Sequence, residues 1–362
     1  MAIPVVSFCI PTYNRAERVC ALVTSILSCE RDDIEVCVND NASTDNTKEI
    51  LSHINDSRFK FFENEANIGM YKNMVISISR ASGKYAFYCN DRDLIIAENI
   101  PRLCDFLSNY DLVYVYCGEV FKEIIYENYC DSVTNLYFFR HPSGEIFGTR
   151  YLAQIDLKYY LELSEDSPYM LAFRFIFLSV AMKGKTACLP NVYWEAPSMD
   201  FLDKNPSRSQ LKSGAHPCIY FIPRDMSKIF LFDANHLANI GAFTKSELSN
   251  ILYIQYKKRA IQSLTFYIDS MSCDTITMRY SYNGKTHTGP LDWIKRYFVD
   301  FYQPYRKSNI YNYNTIVQRF KIYLFNIYML QWFLFYKLKR MLLKNRFIYS
   351  LNLLRRRIFN KD

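Results

Sequence analysis

The sequence predicts an α/β fold, a mostly parallel sheet wound with helices and followed by a helical C-terminal extension. Three observations predict it. Over about the first ninety residues, short apolar runs alternate with stretches of helical spacing, the pattern of βαβ units. Four polar segments stand where those runs end or where helices open, the place at which an open α/β sheet binds ligands. They are Cys9-Ile10-Pro11-Thr12-Tyr13-Asn14-Arg15, Val38-Asn39-Asp40-Asn41-Ala42-Ser43-Thr44-Asp45, Asn67-Ile68-Gly69 and Asn90-Asp91-Arg92-Asp93. Beyond residue 217 the pattern turns helical.

Residues 5–10 are apolar, close on Pro11 and read as a buried strand. Asn14 is set to cap the next helix, over 16–29, with Glu17 reaching back to it. Residues 34–38 form a second strand and 43–53 a second helix. Residues 59–62 are a third strand, 71–79 a third helix and 85–89 a fourth strand. A helix begins near Ala97, and 112–116 is a fifth strand. Residues 118–150 are Tyr-rich with no clear period. A helix over 169–182 ends at Gly184, and 186–189 is a last strand. Pro197, Pro206, Gly214 and Pro217 mark a loop or domain edge. Thr244-Lys245-Ser246-Glu247 is a capping box before a periodic stretch to about Met271, and Asn283-Gly284 is a turn. The predicted divisions are 1–215, 216–316 and 317–362.

Half of the 362 residues are apolar and 17% are aromatic, which excludes a disordered chain. The net charge of +8 is local. Residues 317–362 carry eleven Lys and Arg against one acidic residue, a charge of +10, so the remainder is at −2. Eleven cysteines without a CxxC pair read as reduced, buried thiols. Met1-Ala2-Ile3-Pro4 has neither a basic nor a separate apolar leader region, so the α/β part is expected in the cytoplasm.

The C-terminal segment has its own chemistry. Residues 322–336 are apolar except for Asn326 and Gln331. At ~1.5 Å per residue the run spans roughly 22 Å, short of the ~30 Å hydrocarbon layer. Basic and apolar residues then alternate to Arg357. Such a helix, with Trp332, Phe333 and Phe335, suits an anionic membrane surface at the inner face of the cell membrane. Packing of one face on the protein, with the basic face solvated, is the plainer reading. The apolar run argues against nucleic acid as a partner.

In order and context the four segments resemble the family 2 glycosyltransferases of GT-A fold, over roughly residues 4–195. Ser7 to Arg15 also has the form shared by members that build bacterial O-antigen, capsule or other surface polysaccharide. The resemblance implies that Pro11, Thr12, Tyr13, Asn14 and Arg15 pack around a nucleotide base. Asp40 would accept from the base, an imide N–H such as that of uracil suiting a carboxylate, with Asn41 beside it. Asn67 and Gly69 match the Asn-x-Gly before the family's third helix, and Lys72 lies one turn on, within reach of a phosphate. Read alone, the same residues are capping turns and a solvated lysine.

The family ends its fourth strand with a DxD-type cluster whose carboxylates hold Mg²⁺ or Mn²⁺ against the donor diphosphate. Two alignments of Asn90-Asp91-Arg92-Asp93-Leu94 are open. Asp91 and Asp93 as the DxD keep two metal ligands, with Asn90 adjoining. Alternatively Asp93-Leu94 aligns with the family's last Asp and apolar residue. Arg92 then stands where a metal-ligand Asp is usual and meets the diphosphate directly, without an ion. The family's general base comes from an acidic pair; Glu165-Asp166 fits, Asp166 lying 73 residues after Asp93. Arg174, Lys183-Gly184-Lys185 and Leu189-Pro190 continue the pattern.

These matches imply an inverting transfer of a sugar from a nucleotide-sugar donor, UDP first, to a glycan acceptor carried on a polyprenyl diphosphate. A nucleotide-sugar-binding protein without turnover and a membrane scaffold are the alternatives. No GxGxxG, P-loop or paired His at metal spacing competes with this reading.

Overall fold

The computed structural model describes residues 3–118, 122–137, 142–166, 172–195, 223–272, 280–282, 285–287 and 294–343. The chain divides into two compact units, Met1–Ser207 and Arg208–Asp362. The boundary expected at 215 falls among residues outside that description.

The first unit is α/β. Its elements are β1 (Val6–Thr12), α1 (Ala16–Leu27), β2 (Ile34–Asp40), α2 (Thr47–Ser52), β3 (Phe59–Glu63), α3 (Met70–Ser79), β4 (Tyr85–Tyr88) and β5 (Leu94–Ile95). A 3₁₀ turn at Ala97–Asn99 leads into α4 (Ile100–Asn109). Then come β6 (Leu112–Gly118), β7 (Ile124–Tyr126), α5 (Tyr129–Leu136), β8 (Glu145–Gly148), α6 (Thr149–Leu152), α7 (Leu157–Asp166), α8 (Ala172–Ala181), β9 (Lys185–Pro190) and β10 (Trp194–Glu195). An eight-stranded sheet runs β3-β2-β1-β4-β8-β6-β9-β7, and β5 pairs with β10 apart from it. The pairings β1·β2, β1·β4, β2·β3 and β6·β9 are parallel. β8 runs antiparallel to both β4 and β6, and β7 antiparallel to β9. The Tyr-rich stretch that sequence left unassigned supplies these antiparallel strands.

Near-continuous apolar sequence is what a strand buried on both faces requires, and all seven residues of β2 are buried. Val19, Leu22, Val23 and Ile26 of α1 pack in the same core as Phe8, Ile10, Val36 and Val38. Glu35 interrupts β2 but is fully engaged. It accepts from Ser7 of β1, from Lys60 of β3, and from the Ser82 and Gly83 backbone before β4. One carboxylate thus ties four strands at the end of the sheet away from the motifs.

The second unit holds α9 (Pro223–Ile240), α10 (Lys245–Ser272), a hairpin of β11 (Tyr280–Tyr282) and β12 (Lys285–His287), and a π-helical turn at Tyr297–Tyr302. It continues with α11 (Gln303–Lys307), α12 (Ile310–Tyr313) and α13 (Ile316–Leu343). The capping box is present: Glu247 Oε2 accepts from the Thr244 backbone at 2.8 Å, and Thr244 Oγ1 from that of Glu247 at 3.3 Å. Asn283-Gly284 lies outside the described residues, between paired strands. Arg259 of α10 and Asp233 of α9 form a buried ion pair at 2.8 Å. Asn326 of α13 accepts from Tyr256 and Tyr297. Ile322, Phe325 and Met329 face that interior, whereas Ile316, Val317, Phe320, Leu324 and Ile327 are exposed. Among the described residues no helix is long and apolar enough to cross a membrane.

Candidate active site

Register brings the motifs together. Thr12 pairs with Asp40 and Cys9 with Tyr88. The segments that follow β1, β2 and β4 therefore leave one edge of the sheet side by side.

The first two segments are hydrogen-bonded to each other. The Asn14 backbone N–H donates to Ser43 Oγ at 2.8 Å, and Asn14 Oδ1 accepts from the Thr44 N–H at 2.7 Å. Asn14 adopts φ +52°, which Asn tolerates better than most residues. The expected cap is corrected here. Arg15 occupies the N-cap position of α1 without a side-chain capping bond, because the Asn14 amide is committed to Thr44. Asp45 does the capping instead. Its Oδ2 accepts from Ala16 N at 3.4 Å and its Oδ1 from Thr47 N at 3.0 Å. That is also why α2 starts at Thr47 rather than at Ser43.

Asp40 is fully buried, and Ser43 donates to both of its oxygens, from N–H and from Oγ. Asn41 Oδ1 accepts from Asn64 Nδ2 and from the Ile68 N–H, each at 3.0 Å, and Asn41 Nδ2 donates to Asn67 Oδ1 at 2.9 Å. Asn67 Oδ1 also receives the Gly69 N–H at 2.9 Å. Gly69 sits at φ +87° and opens α3. Asn39, Asn64 and Asn73 extend this amide network. Sequence reasoning missed those three, although asparagines crowding the strand ends were the available signal. Pro11, Tyr13 and Lys72 are half-buried, and Thr12 is buried.

The fourth segment carries the charge. Arg15 Nη1 lies 2.7 and 2.9 Å from the two oxygens of Asp91, and Thr12 Oγ1 donates to Asp91 Oδ2 at 3.1 Å. Asp93 Oδ2 accepts from Ser143 Oγ and from Asn90 N. Burial pushes Asp93 up to about 7, against the pull of its Ser143 and Asn90 hydrogen bonds. Asn90 Oδ1 accepts from the Arg92 backbone at 3.1 Å. The Arg92 guanidinium is half-buried, and its Nε is buried without a partner. Burial, and then the charge of Arg15, hold Arg92 below the usual arginine range.

Ser143, also missed, reaches Asp93 because Gly144 turns at φ +86°. A Cβ at Gly144 would lie 2.5 Å from the Cys117 carbonyl oxygen and 2.6 Å from Trp194 Nε1. β10 pairs the exposed Glu195 with Leu94, the residue after Asp93. Glu165 and Asp166 are the last residues of α7, which packs on α3; their side chains lie outside the described residues. His141 does too.

A family model described as Glycosyl transferase family 2 matches residues 7–175. The abequosyltransferase RfbV of Salmonella typhimurium is 36% identical over 115 residues, 30% of this chain and 34% of that protein. A GalNAc(5)-diNAcBac-PP-undecaprenol beta-1,3-glucosyltransferase of Campylobacter jejuni is 29% identical over 103 residues, 28% of this chain and 33% of that protein. The chain therefore spans about a third of the length of these curated relatives. S. aureus TarS 1-349 is 17% identical, with a TM-score of 0.49, over 80% of this chain and 78% of that one. The order of the matched segments, the parallel β3-β2-β1-β4 half-sheet that presents them and the family match agree: residues 7–175 are similar to glycosyl transferase family 2.

Proposed function

We propose that this chain is an inverting glycosyltransferase that moves a sugar from a nucleoside-diphosphate sugar to a lipid-linked glycan during bacterial surface-polysaccharide assembly. The convergence of Asn14, Asn41, Gly69 and the Asp91–Arg92–Asp93 cluster at one sheet edge carries the reading. In the transfer, a carboxylate takes the proton of the acceptor hydroxyl. The oxygen attacks the anomeric carbon from the face opposite the diphosphate, which leaves as nucleoside diphosphate. Asp166, with Glu165 second, is the proposed base. Glu195, opposite Leu94, is the described carboxylate that competes for the role. UDP is the first donor to try. Each Asp40 oxygen keeps an unused lone pair, the acceptor that an imide N–H requires.

Two observations support a lipid-linked acceptor at an anionic membrane. The Campylobacter relative's name includes an undecaprenyl diphosphate. The exposed residues Ile316, Phe320, Leu324 and Ile327 recur at helical spacing on α13, beside Lys321. An apolar stripe of this kind marks an interaction surface.

The test is release of nucleoside diphosphate from UDP-, dTDP-, GDP- and CDP-sugars in the presence of polyprenyl-diphosphate-linked saccharides. Acceptor-dependent release with one donor, abolished in Asp166→Asn and retained in Glu195→Gln, is expected. Nucleotide binding without release from any donor would favour the binding-protein alternative. Sedimentation with phosphatidylglycerol vesicles, lost in Phe320→Asp/Leu324→Asp, tests the membrane part; unchanged sedimentation would remove it.

A further inference from the structure

Three of the four oxygens of the DxD-type carboxylates are already engaged by other partners, which leaves a divalent ion short of ligands. A hard cation needs several oxygens with free lone pairs. Both Asp91 oxygens face Arg15 Nη1, and one also takes the Thr12 hydroxyl. Asp93 Oδ2 already accepts twice. Between them in the chain stands Arg92, half-buried like Arg15.

The same atoms suit an anion. A half-buried guanidinium with a buried, unpartnered Nε is costly until an acceptor arrives. Arg15 meets Asp91 through Nη1 alone, which leaves Nε and Nη2 as a planar fork matched to phosphate. Asp91 is 2% exposed and fixes that fork, while the Arg15 side chain is 36% exposed.

We propose that Arg15 and Arg92 form a guanidinium clamp that holds the donor diphosphate in place of a divalent ion, with Asp91 as the positioning residue for Arg15. This rests on the donor-site reading above. The clamp places a positive charge on the leaving group, and no metal ligation is asked of Asp91 or Asp93.

The experiment is calorimetric titration of the full chain with UDP, then dTDP, GDP and CDP, each in EDTA and in MnCl₂. The clamp predicts the same Kd in both within a factor of about 2. Arg92→Gln weakens binding about 10- to 100-fold in both media. Arg92→Asp, which rebuilds a carboxylate cluster, binds only with MnCl₂. Asp91→Asn is decisive because a metal ligand and a positioning residue respond oppositely. Under the clamp it keeps or tightens binding in EDTA, since its amide oxygen still accepts from Arg15 and a negative charge is gone. Thermal melts of each variant check folding. Binding that needs MnCl₂ in the wild type and collapses in Asp91→Asn overturns the clamp and leaves the donor site standing. No binding of any nucleotide in either medium overturns both.

Discussion

Replacing Glu35 with Gln isolates the anchor of the parallel half-sheet, because Gln keeps the shape and removes the charge. Burial alone would raise this carboxyl, but Lys60, Ser7 and Ser82 outweigh it and hold it at about 2, against an ordinary 4.5. A depression of that size contributes about 3 kcal/mol at neutral pH. Lys60 is 41% exposed, so screening removes part of it, and about 2 kcal/mol is the expected loss in the Gln variant. The sign follows from the depressed value. The contribution is complete above 4.5, where the unfolded chain is also ionised, and disappears as pH falls through about 2. Urea denaturation followed by circular dichroism, repeated down the pH scale, reads this directly. The midpoints of the two proteins should differ most near neutrality and converge in acid. Equal midpoints at neutral pH, or a gap that ignores pH, would refute the role given to Glu35.

Three further outcomes follow from local geometry. Gly69→Ala meets nothing within 4 Å, so its cost of about 1–3 kcal/mol is purely that of φ +87°, ψ 156° for an L-residue; a urea midpoint equal to wild type would contradict this. Asp233→Ala leaves the Arg259 guanidinium buried without its carboxylate and should cost the second unit about 3–5 kcal/mol, read as a lost or early thermal transition. Cys9, Cys89 and Cys117 are fully buried with thiols pushed up by burial, so iodoacetamide at mildly alkaline pH should label none of them before unfolding.

What sequence made legible was local. β1 to β4 are apolar runs joined by short helical stretches, and each is found within a residue or two of its expected place. The Thr244–Glu247 box marks a helix start because its two bonds join residues three apart. β8 was illegible for the opposite reason. It is four residues long, begins with Glu145, and is a strand only because β4 and β6 flank it. The 157–166 helix and the β5·β10 pair escaped as well; β5 and β10 are two residues each.

The candidate site divides the same way. The four segments were visible because each is contiguous, and the turns they form lie where expected. What joins them was not visible. The Arg15–Asp91 contact spans 76 residues and changes Asp91 from an open carboxylate into a paired one. Ser143 reaches Asp93 from 50 residues away. The Asn14 amide bonds to Thr44 rather than to its own helix, a choice that depends on where β2 ends.

The central claim is that the turns after β1, β2 and β4 form the nucleotide site. Hydrogen exchange of the full chain, with and without each of UDP, dTDP, GDP and CDP, tests it most directly. The account predicts that one nucleotide slows exchange in residues 11–15, 41–45, 67–70 and 90–93 together. Protection elsewhere in the chain with those four segments unchanged would contradict it.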